Sequence, residues 1–315
     1  MTEKSSQLKT SIIIPTYKGE KSIAKLVDQL IERLSEVSIE IIIVNDSSPD
    51  NSHDVCLNIQ NTYPSIVRYL RLGKNVGEHS AVMAGLNYAT GDFAVIIDDD
   101  FQNSPNEVLK LIEYSVDKHF DVVYTSYAEK KHSRFRNFGS WVNDVSASVL
   151  LGKPRSLYLS SFKCMNRYVL EEVIKYKGPF PYIDGLILKC TDNIGVLEVE
   201  HSERYEGESG YTFKKLVQLW LNMAINFSFA PLRISFILGL FFATIGICFS
   251  IYTIIHKIID PGLPTGWASL IIAISVFSGV QLILLGVLGE YLGKVLMSIN
   301  QLPQYSIKED YHSED

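Results

Sequence analysis

Short apolar runs and helically spaced apolar positions alternate along the first part of the chain. Residues 11–16 (SIIIPT), 40–44 (EIIIV), 67–72 (VRYLRL), 93–97 (FAVII) and 121–126 (DVVYTS) are compact apolar runs bounded by polar or turn-forming residues. That is the pattern of buried strands. Between them apolar residues recur at helical spacing. Residues 22–34 carry Ile23, Leu26, Val27, Leu30, Ile31 and Leu34, and 77–89 and 105–114 also read as helices. Another helix follows the turn-forming segment NDSSPDNS at 45–52. Such alternation predicts an α/β domain with a mostly parallel sheet covered on both faces. Ligands bind at the carboxyl ends of the strands in such sheets, where the polar clusters at 45–52 and 98–104 fall.

After residue 127 the pattern weakens. Residues 128–152 start basic and then turn helical, 178–185 (GPFPYIDG) reads as a loop, and 194–201 reads as another strand. Residues 212–228 are amphipathic, with Lys214, Lys215 and Trp220 beside an apolar face. They fit an interfacial helix or an ordinary packed surface helix. Two stretches, 234–255 and 267–289, contain no Asp, Glu, Lys or Arg. Each exceeds the about 20 residues needed to cross a bilayer core. The alternative is a pair of helices buried in a soluble core. The linker 256–266, with Pro261, Gly262 and Pro264, suits a hairpin. Expected units are a cytosolic domain at 1–211, an interfacial helix at 212–230, two transmembrane helices within 231–292, and a cytosolic tail at 293–315. Arg233 and Lys294 flank the expected cytosolic ends, with Lys257 in the opposite loop, a thin positive-inside bias. The first ten residues, MTEKSSQLKT, lack an apolar signal region, so the first domain is expected in the cytoplasm.

The net charge of −6 argues against nucleic acid as a main partner. The four cysteines form no CxxC pair, and the histidines show no HExxH spacing, so neither a zinc site nor a disulfide framework is expected. The chemistry concentrates in Asp98, Asp99 and Asp100 at the end of an apolar strand. Three adjacent carboxylates repel one another unless a cation or donors compensate. On an extended chain Asp98 and Asp100 would point one way and Asp99 the other. Two such carboxylates together with diphosphate oxygens suit Mg²⁺ or Mn²⁺; the alternative is a solvated acidic turn.

In context these residues resemble the family-2 glycosyltransferases. IIIPTYKGE at 12–20, VNDSSPDNS at 44–52 and NVGEHSAVMAGLNYATGDFAVIIDDDFQNSP at 75–105 are similar to the family's opening strand, its nucleotide turn, its Asn-x-Gly helix and its D-x-D motif. The resemblance implies a GT-A, Rossmann-like fold. It implies donor-nucleotide contacts at Pro15, Thr16, Tyr17, Glu20, Asp46, Asn75, Gly77, Asp98 and Asp99. It implies catalytic and metal-holding roles for Asp98 and Asp100, with Gln102 beside the metal. His79 and His201 fall inside family-like motifs.

The later segments resemble the polyprenyl-phosphate glycosyltransferases, which include GtrB-like enzymes and dolichol-phosphate mannose synthase. The resemblance rests on Asp98, Asp100, Gln102, Asn103 and Pro105, on HSERYEGESGYTFKKL at 201–216, and on the two-helix C-terminus. It implies a polyprenyl (undecaprenyl) phosphate acceptor, an inverting reaction, a UDP-sugar sooner than a GDP-sugar, an inner-membrane location and a homo-oligomer. Arg134, Arg136 and Arg204 suit phosphate binding, with Ser140 and Asn143 as neutral donors. Many relatives carry an Asp shortly before the segment matching SFKCMNR; here 157–161 (LYLSS) has none. Asp184 is the nearest downstream candidate for a catalytic base. A phosphate acceptor is largely dianionic at neutral pH and can attack without one. The rival readings are a processive polysaccharide synthase, whose Q-x-x-R-W motif Gln218-Leu219-Trp220 does not match, and a non-enzymatic membrane scaffold or nucleotide sensor.

Overall fold

The computed structural model describes residues 8–127, 157–199, 230–259, 266–300 and 302–312. Two compact units divide the chain: residues 1–211 together with 301–315, and residues 212–300.

The first unit is built on one mixed sheet. Its strands are β1 (Thr10–Thr16), β2 (Ile39–Asn45), β3 (Val67–Leu72), β4 (Phe93–Ile96), β5 (Val122–Tyr127), β6 (Lys163–Asn166), β7 (Ile194–Val199) and β8 (Ile307–Tyr311). They lie in the order β7-β5-β6-β4-β1-β2-β3-β8. β4, β1, β2 and β3 are parallel neighbours, as are β5 and β7; β6 runs antiparallel between β4 and β5, and β8 runs antiparallel to β3. Helices α1 (Ile23–Arg33), α2 (Ser52–Thr62), α3 (Glu78–Tyr88), α4 (Pro105–Lys118), α5 (Arg167–Ile174) and α6 (Ile183–Cys190) complete the unit. The β-branched runs of β1 and β2 are almost wholly buried because helices cover both sheet faces. α4 shows how sequence sets an element. The Ser104 hydroxyl caps Asn106 N–H at 3.3 Å, Pro105 opens the first turn, and Val108, Leu111, Ile112 and Val116 form its buried stripe. His119 ends it in a left-handed conformation.

Several expectations change. Residues 178–185 are not all loop, because Ile183 opens α6. β6 was not anticipated; its KCMN sequence offers no apolar run like that of the equally short β4. The segment beyond residue 293 is not a free tail: α8 continues to Ile299, and β8 joins the sheet edge. There Tyr311 stacks on Tyr69, with centroids 5.7 Å apart and planes 7° from parallel.

The second unit contains α7 (Ala230–Ile259) and α8 (Trp267–Ile299), packed on each other. Gly239 and Gly246, one heptad apart, face Leu284 and Phe277 of α8. Small residues at such positions let apolar helices approach closely. Phe236, Ile237, Leu240, Ile258, Leu282, Ile283 and Ile299 are exposed, an apolar surface larger than water-soluble monomers present. Among the described residues, Phe277–Ile299 is long and apolar enough to cross a membrane, and Ser235–Cys248 is a shorter apolar segment. The first of these lies further along α8 than the uncharged stretch 267–289, since it admits Glu290 and Lys294. The interfacial helix expected at 212–228 lies outside the described residues.

Candidate active site

Parallel pairing brings the carboxyl ends of β1, β2 and β4 together. Thr16 is in register with Asn45, and Ile13 with Ile96. The polar residues after each strand therefore converge, and a backbone bond from Asp46 N to Thr16 O (2.9 Å) ties two of these ends.

The three aspartates diverge. β4 ends at Ile96, so Asp98 to Asp100 form a turn, closed by Phe101 at φ 60°, and strict strand alternation does not apply. Asp98 Oδ2 accepts the Ser161 hydroxyl at 2.5 Å, and Asp100 Oδ1 accepts Gln102 N–H at 3.1 Å. Asp99 turns toward β1 and accepts the Thr16 hydroxyl. A Cβ on Gly19 would collide with that same Asp99–Thr16 contact, so only glycine fits there. Burial, with Asp98 and Asp100 adding repulsion, pushes the Asp99 carboxyl up to about 7 against the Thr16 bond.

After β2, Asp46 is buried and faces the turn into α3. Its Oδ1 and Oδ2 accept Val76 N–H and Gly77 N–H, each at 2.8 Å, while Asn75 Nδ2 donates to its carbonyl at 3.2 Å. Asp46 thus fixes the turn into α3, where Gly77 takes φ 90°, a region that glycine enters freely. Its carboxyl is raised by burial, a shift those two bonds oppose. Glu20 accepts Asn51 N–H at 3.0 Å and Ser48 accepts Lys18 N–H at 3.1 Å, lacing the loop after β1 to the turn after β2. Pro15 is half-buried within β1, and Tyr17 is exposed above that loop, open to a stacking base.

Asp184, the candidate base, is engaged by other groups. It is buried and paired with buried Lys163, and it accepts the Tyr124 hydroxyl at 2.9 Å. A carboxylate so engaged orients its surroundings more readily than it removes a proton. Ser160 and Ser161 occupy the segment where a carboxylate was expected. Ser161 reaches Asp98, while Ser160 accepts the Thr125 hydroxyl at 2.9 Å and lies 3.2 Å from the Tyr127 hydroxyl, which donates to Asn103. Arg134, Arg136, Ser140 and Arg204 lie outside the described residues.

Two features escaped the sequence reading. The Lys163–Asp184 pair joins residues on β6 and α6 that nothing local couples. Glu78 is the first residue of α3 and is exposed. Lost hydration, followed by repulsion from Asp98, Asp184 and Asp100 and opposed by Lys163, pushes its carboxyl up to about 7. Its only advance signal was a charged residue directly after Gly77. Next to it, desolvation lowers the His79 imidazole to about 4, leaving it neutral at physiological pH, and its ring meets Tyr182 edge-on at 4.9 Å.

Among the described residues no three His, Cys, Asp or Glu side chains are arranged as a metal cage. The oxygen donors of Asp98 and Asp100 fit a hard cation that takes its remaining ligands from phosphates and water.

Residues 11–174, over half of the chain and including every element of this cleft up to α5, match the family model described as glycosyl transferase family 2. The chain belongs to that family. Residues 230–295 match the GtrB C-terminal hairpin. The chain is 28% identical to the undecaprenyl-phosphate 4-deoxy-4-formamido-L-arabinose transferase of Proteus mirabilis over 96% of its length and 93% of the relative's. The Photorhabdus laumondii protein of the same name is 27% identical, covering 96% and 94%. In fold the first unit is similar to glucosyl-3-phosphoglycerate synthase from Mycobacterium tuberculosis, crystallised with Mn²⁺, UDP and glucosyl-3-phosphoglycerate. The TM-score is 0.53 at 16% identity, covering 70% of this chain and 79% of that one. The protein is therefore a glycosyltransferase with a GT-A domain and a C-terminal hairpin associated with membranes.

Proposed function

We propose that this glycosyltransferase moves one sugar from a nucleotide sugar, UDP-linked, onto polyprenyl phosphate at the cytosolic face of the inner membrane. The observation that carries the reading is the union in one chain of the Asp98–Asp100 cleft with an apolar hairpin. Such a union suits a donor that is soluble and an acceptor that is not. The named undecaprenyl-phosphate transferases that it resembles along nearly its whole length support the acceptor class. The UDP bound by the similar fold supports the base.

The nucleotide lies over the loop after β1, against Pro15, Thr16 and Tyr17. The turn held by Asp46 and the Asn75–Gly77 segment shape its pocket. Asp98 and Asp100 would hold Mg²⁺ or Mn²⁺, with Gln102 beside them, and the cation would supply charge neutralisation at the leaving diphosphate. An oxygen of the acceptor phosphate, already largely dianionic, attacks the anomeric carbon. Its new C–O bond forms as the bond to the diphosphate breaks, the configuration inverts, and the nucleoside diphosphate leaves. Orientation and charge stabilisation supply the rate. Arg134, Arg136 and Arg204, with Ser140, bind the acceptor phosphate or the donor diphosphate.

Chain continuity supports a multi-pass hairpin. β8 belongs to the catalytic sheet, so the chain that leaves the first unit for the hairpin returns to the same side. The number of crossings between them is even. At 1.5 Å per residue, the 30 residues of α7 and 33 of α8 extend about 45 and about 50 Å, enough for two crossings.

Full-length protein in detergent, given undecaprenyl phosphate, a divalent cation and a panel of UDP- and GDP-sugars, is expected to yield one lipid-phosphate-sugar by mass spectrometry, abolished by EDTA. A polymeric product, or no product from folded protein with any donor, would overturn the reading.

A further inference from the structure

We propose that Asn45 is a positioning residue of the donor site: its buried side chain holds the turn at Asp46, Ser47 and Ser48 in the shape that receives the nucleotide. The inference rests on the function proposed above, which puts the nucleotide against the loop after β1 and the turn after β2, and adds the residue that sets that turn.

The turn needs holding. Ser47 takes φ 53°, a left-handed conformation that is costly for a residue other than glycine and persists only where its surroundings impose it. Asn45, the last residue of β2, supplies one such constraint. Its Oδ1 accepts the Ser48 N–H at 2.8 Å and so spans Ser47. The Asp46 N–H, bonded to Thr16 O at 2.9 Å, fixes the near side of the turn. Ser48 passes the constraint on. Its hydroxyl oxygen accepts the Lys18 N–H at 3.1 Å, and Lys18 is itself left-handed at φ 63°. One side chain thus sets the turn after β2 and, through Ser48, the loop that carries Tyr17.

The Asn45 amide is held in its turn. It is almost wholly buried. A backbone N–H can only donate, so the amide oxygen faces Ser48 and the amide nitrogen faces Tyr69. Nδ2 donates to the Tyr69 hydroxyl oxygen at 3.1 Å. With that oxygen accepting, the Tyr69 hydroxyl has its own hydrogen to give to His53 Nδ1, 2.9 Å away. Tyr69 is buried and stacked on Tyr311. Every donor in this series meets an acceptor, and a flipped amide would set two donors against each other at Ser48. A turn held this way is ordered before the ligand arrives, so binding does not have to supply the ordering. Because the amide is committed to Ser48 and Tyr69, it acts through the turn and not on the ligand.

The test compares full-length wild type, Asn45→Ala, Asn45→Asp and Tyr69→Phe in detergent. Val173→Ala, in the buried stripe of α5, is the control for general destabilisation. Titration calorimetry with UDP and with GDP in Mn²⁺ gives Kd. Transfer to undecaprenyl phosphate, from whichever of a panel of UDP- and GDP-sugars the wild type uses, gives KM and kcat. Asn45→Ala is expected to raise the nucleoside diphosphate Kd and the donor KM roughly 10- to 30-fold and to leave kcat within about threefold. Asn45→Asp keeps an acceptor for the Ser48 N–H and should recover most of that loss. Tyr69→Phe should raise the same two constants about three- to fivefold. Val173→Ala should lower the Tm and leave Kd unchanged. An unchanged Kd in Asn45→Ala, a loss in Asn45→Asp as large as in Asn45→Ala, or an equal loss in Val173→Ala would overturn the inference alone. Should Asn45→Ala fail to fold, Tyr69→Phe decides, and an unchanged Kd there overturns the inference. A wild-type chain that binds neither UDP nor GDP overturns the underlying function, and the inference with it.

Discussion

Arg68 on β3 and Asp310 on β8 are joined by a two-pronged ion pair, Nε to Oδ1 at 2.9 Å and Nη2 to Oδ2 at 2.6 Å, although 242 positions separate them. Arg71 and Glu309, beside them, meet at 3.2 Å, and Tyr311 lies flat on Tyr69. The Tyr69 hydroxyl in turn accepts from Asn45, the residue before Asp46. β8 thus closes the sheet edge next to the turn at Asn45 and Asp46.

Arg68→Glu should lower the Tm of the full-length protein, and adding Asp310→Arg should restore most of it. Both side chains are about a quarter exposed, so the coupling should be about 1 kcal/mol. A double-mutant cycle measures it; strictly additive losses would show that the pair contributes nothing. Deleting 302–312 should cost far more, because the β3 edge and Tyr69 lose their cover.

Asp98→Asn and Asp100→Asn should each reduce turnover by roughly 10²–10³-fold while leaving the protein folded, since charge opposite the leaving diphosphate is lost. Ser161→Ala should have a smaller effect, confined to how Asp98 is oriented. Circular dichroism beside the transfer assay checks both; a double Asp98→Asn, Asp100→Asn protein with full turnover would exclude the assignment.

Asp184→Asn tests orientation against proton removal. Breaking a buried pair strands Lys163 and should cost about 3–5 kcal/mol. Replacing both partners, as in Lys163→Met with Asp184→Leu, should cost less in stability and leave kcat within an order of magnitude. Collapse of kcat in a double variant that stays folded would restore Asp184 as a base.

Glu40 gives the expected pH dependence. Burial raises its carboxyl, but bonds from Ser11, Lys9 and Thr90 outweigh burial and hold it below the ordinary value. The folded state therefore binds this proton less readily than the unfolded chain. Its stabilisation is complete above the unfolded value, about 4.3, and is lost as pH falls through the folded value. Glu40→Gln should unfold more easily than wild type at neutral pH, and the two should converge in acid. A difference that stays constant from neutral pH into acid would refute the linkage.

The sequence by itself determined the parallel β1–β4 framework, because β-branched runs and helically spaced stripes are local patterns with fixed periods. It also marked Asp98–Asp100 and the uncharged hairpin stretches by composition, and Gly77 through the family resemblance. Only the tertiary structure decided that Asp184 is paired with Lys163, that Asp46 pins the α3 turn, and that Asp99 faces Thr16. β6 and β8 were illegible for the same reason. β6 (KCMN) and β8 (IKEDY) lack the apolar run that marks β4 at the same length, and where β8 joins the sheet depends on partners such as Arg68 and Tyr69, far away in sequence and brought close only by the fold.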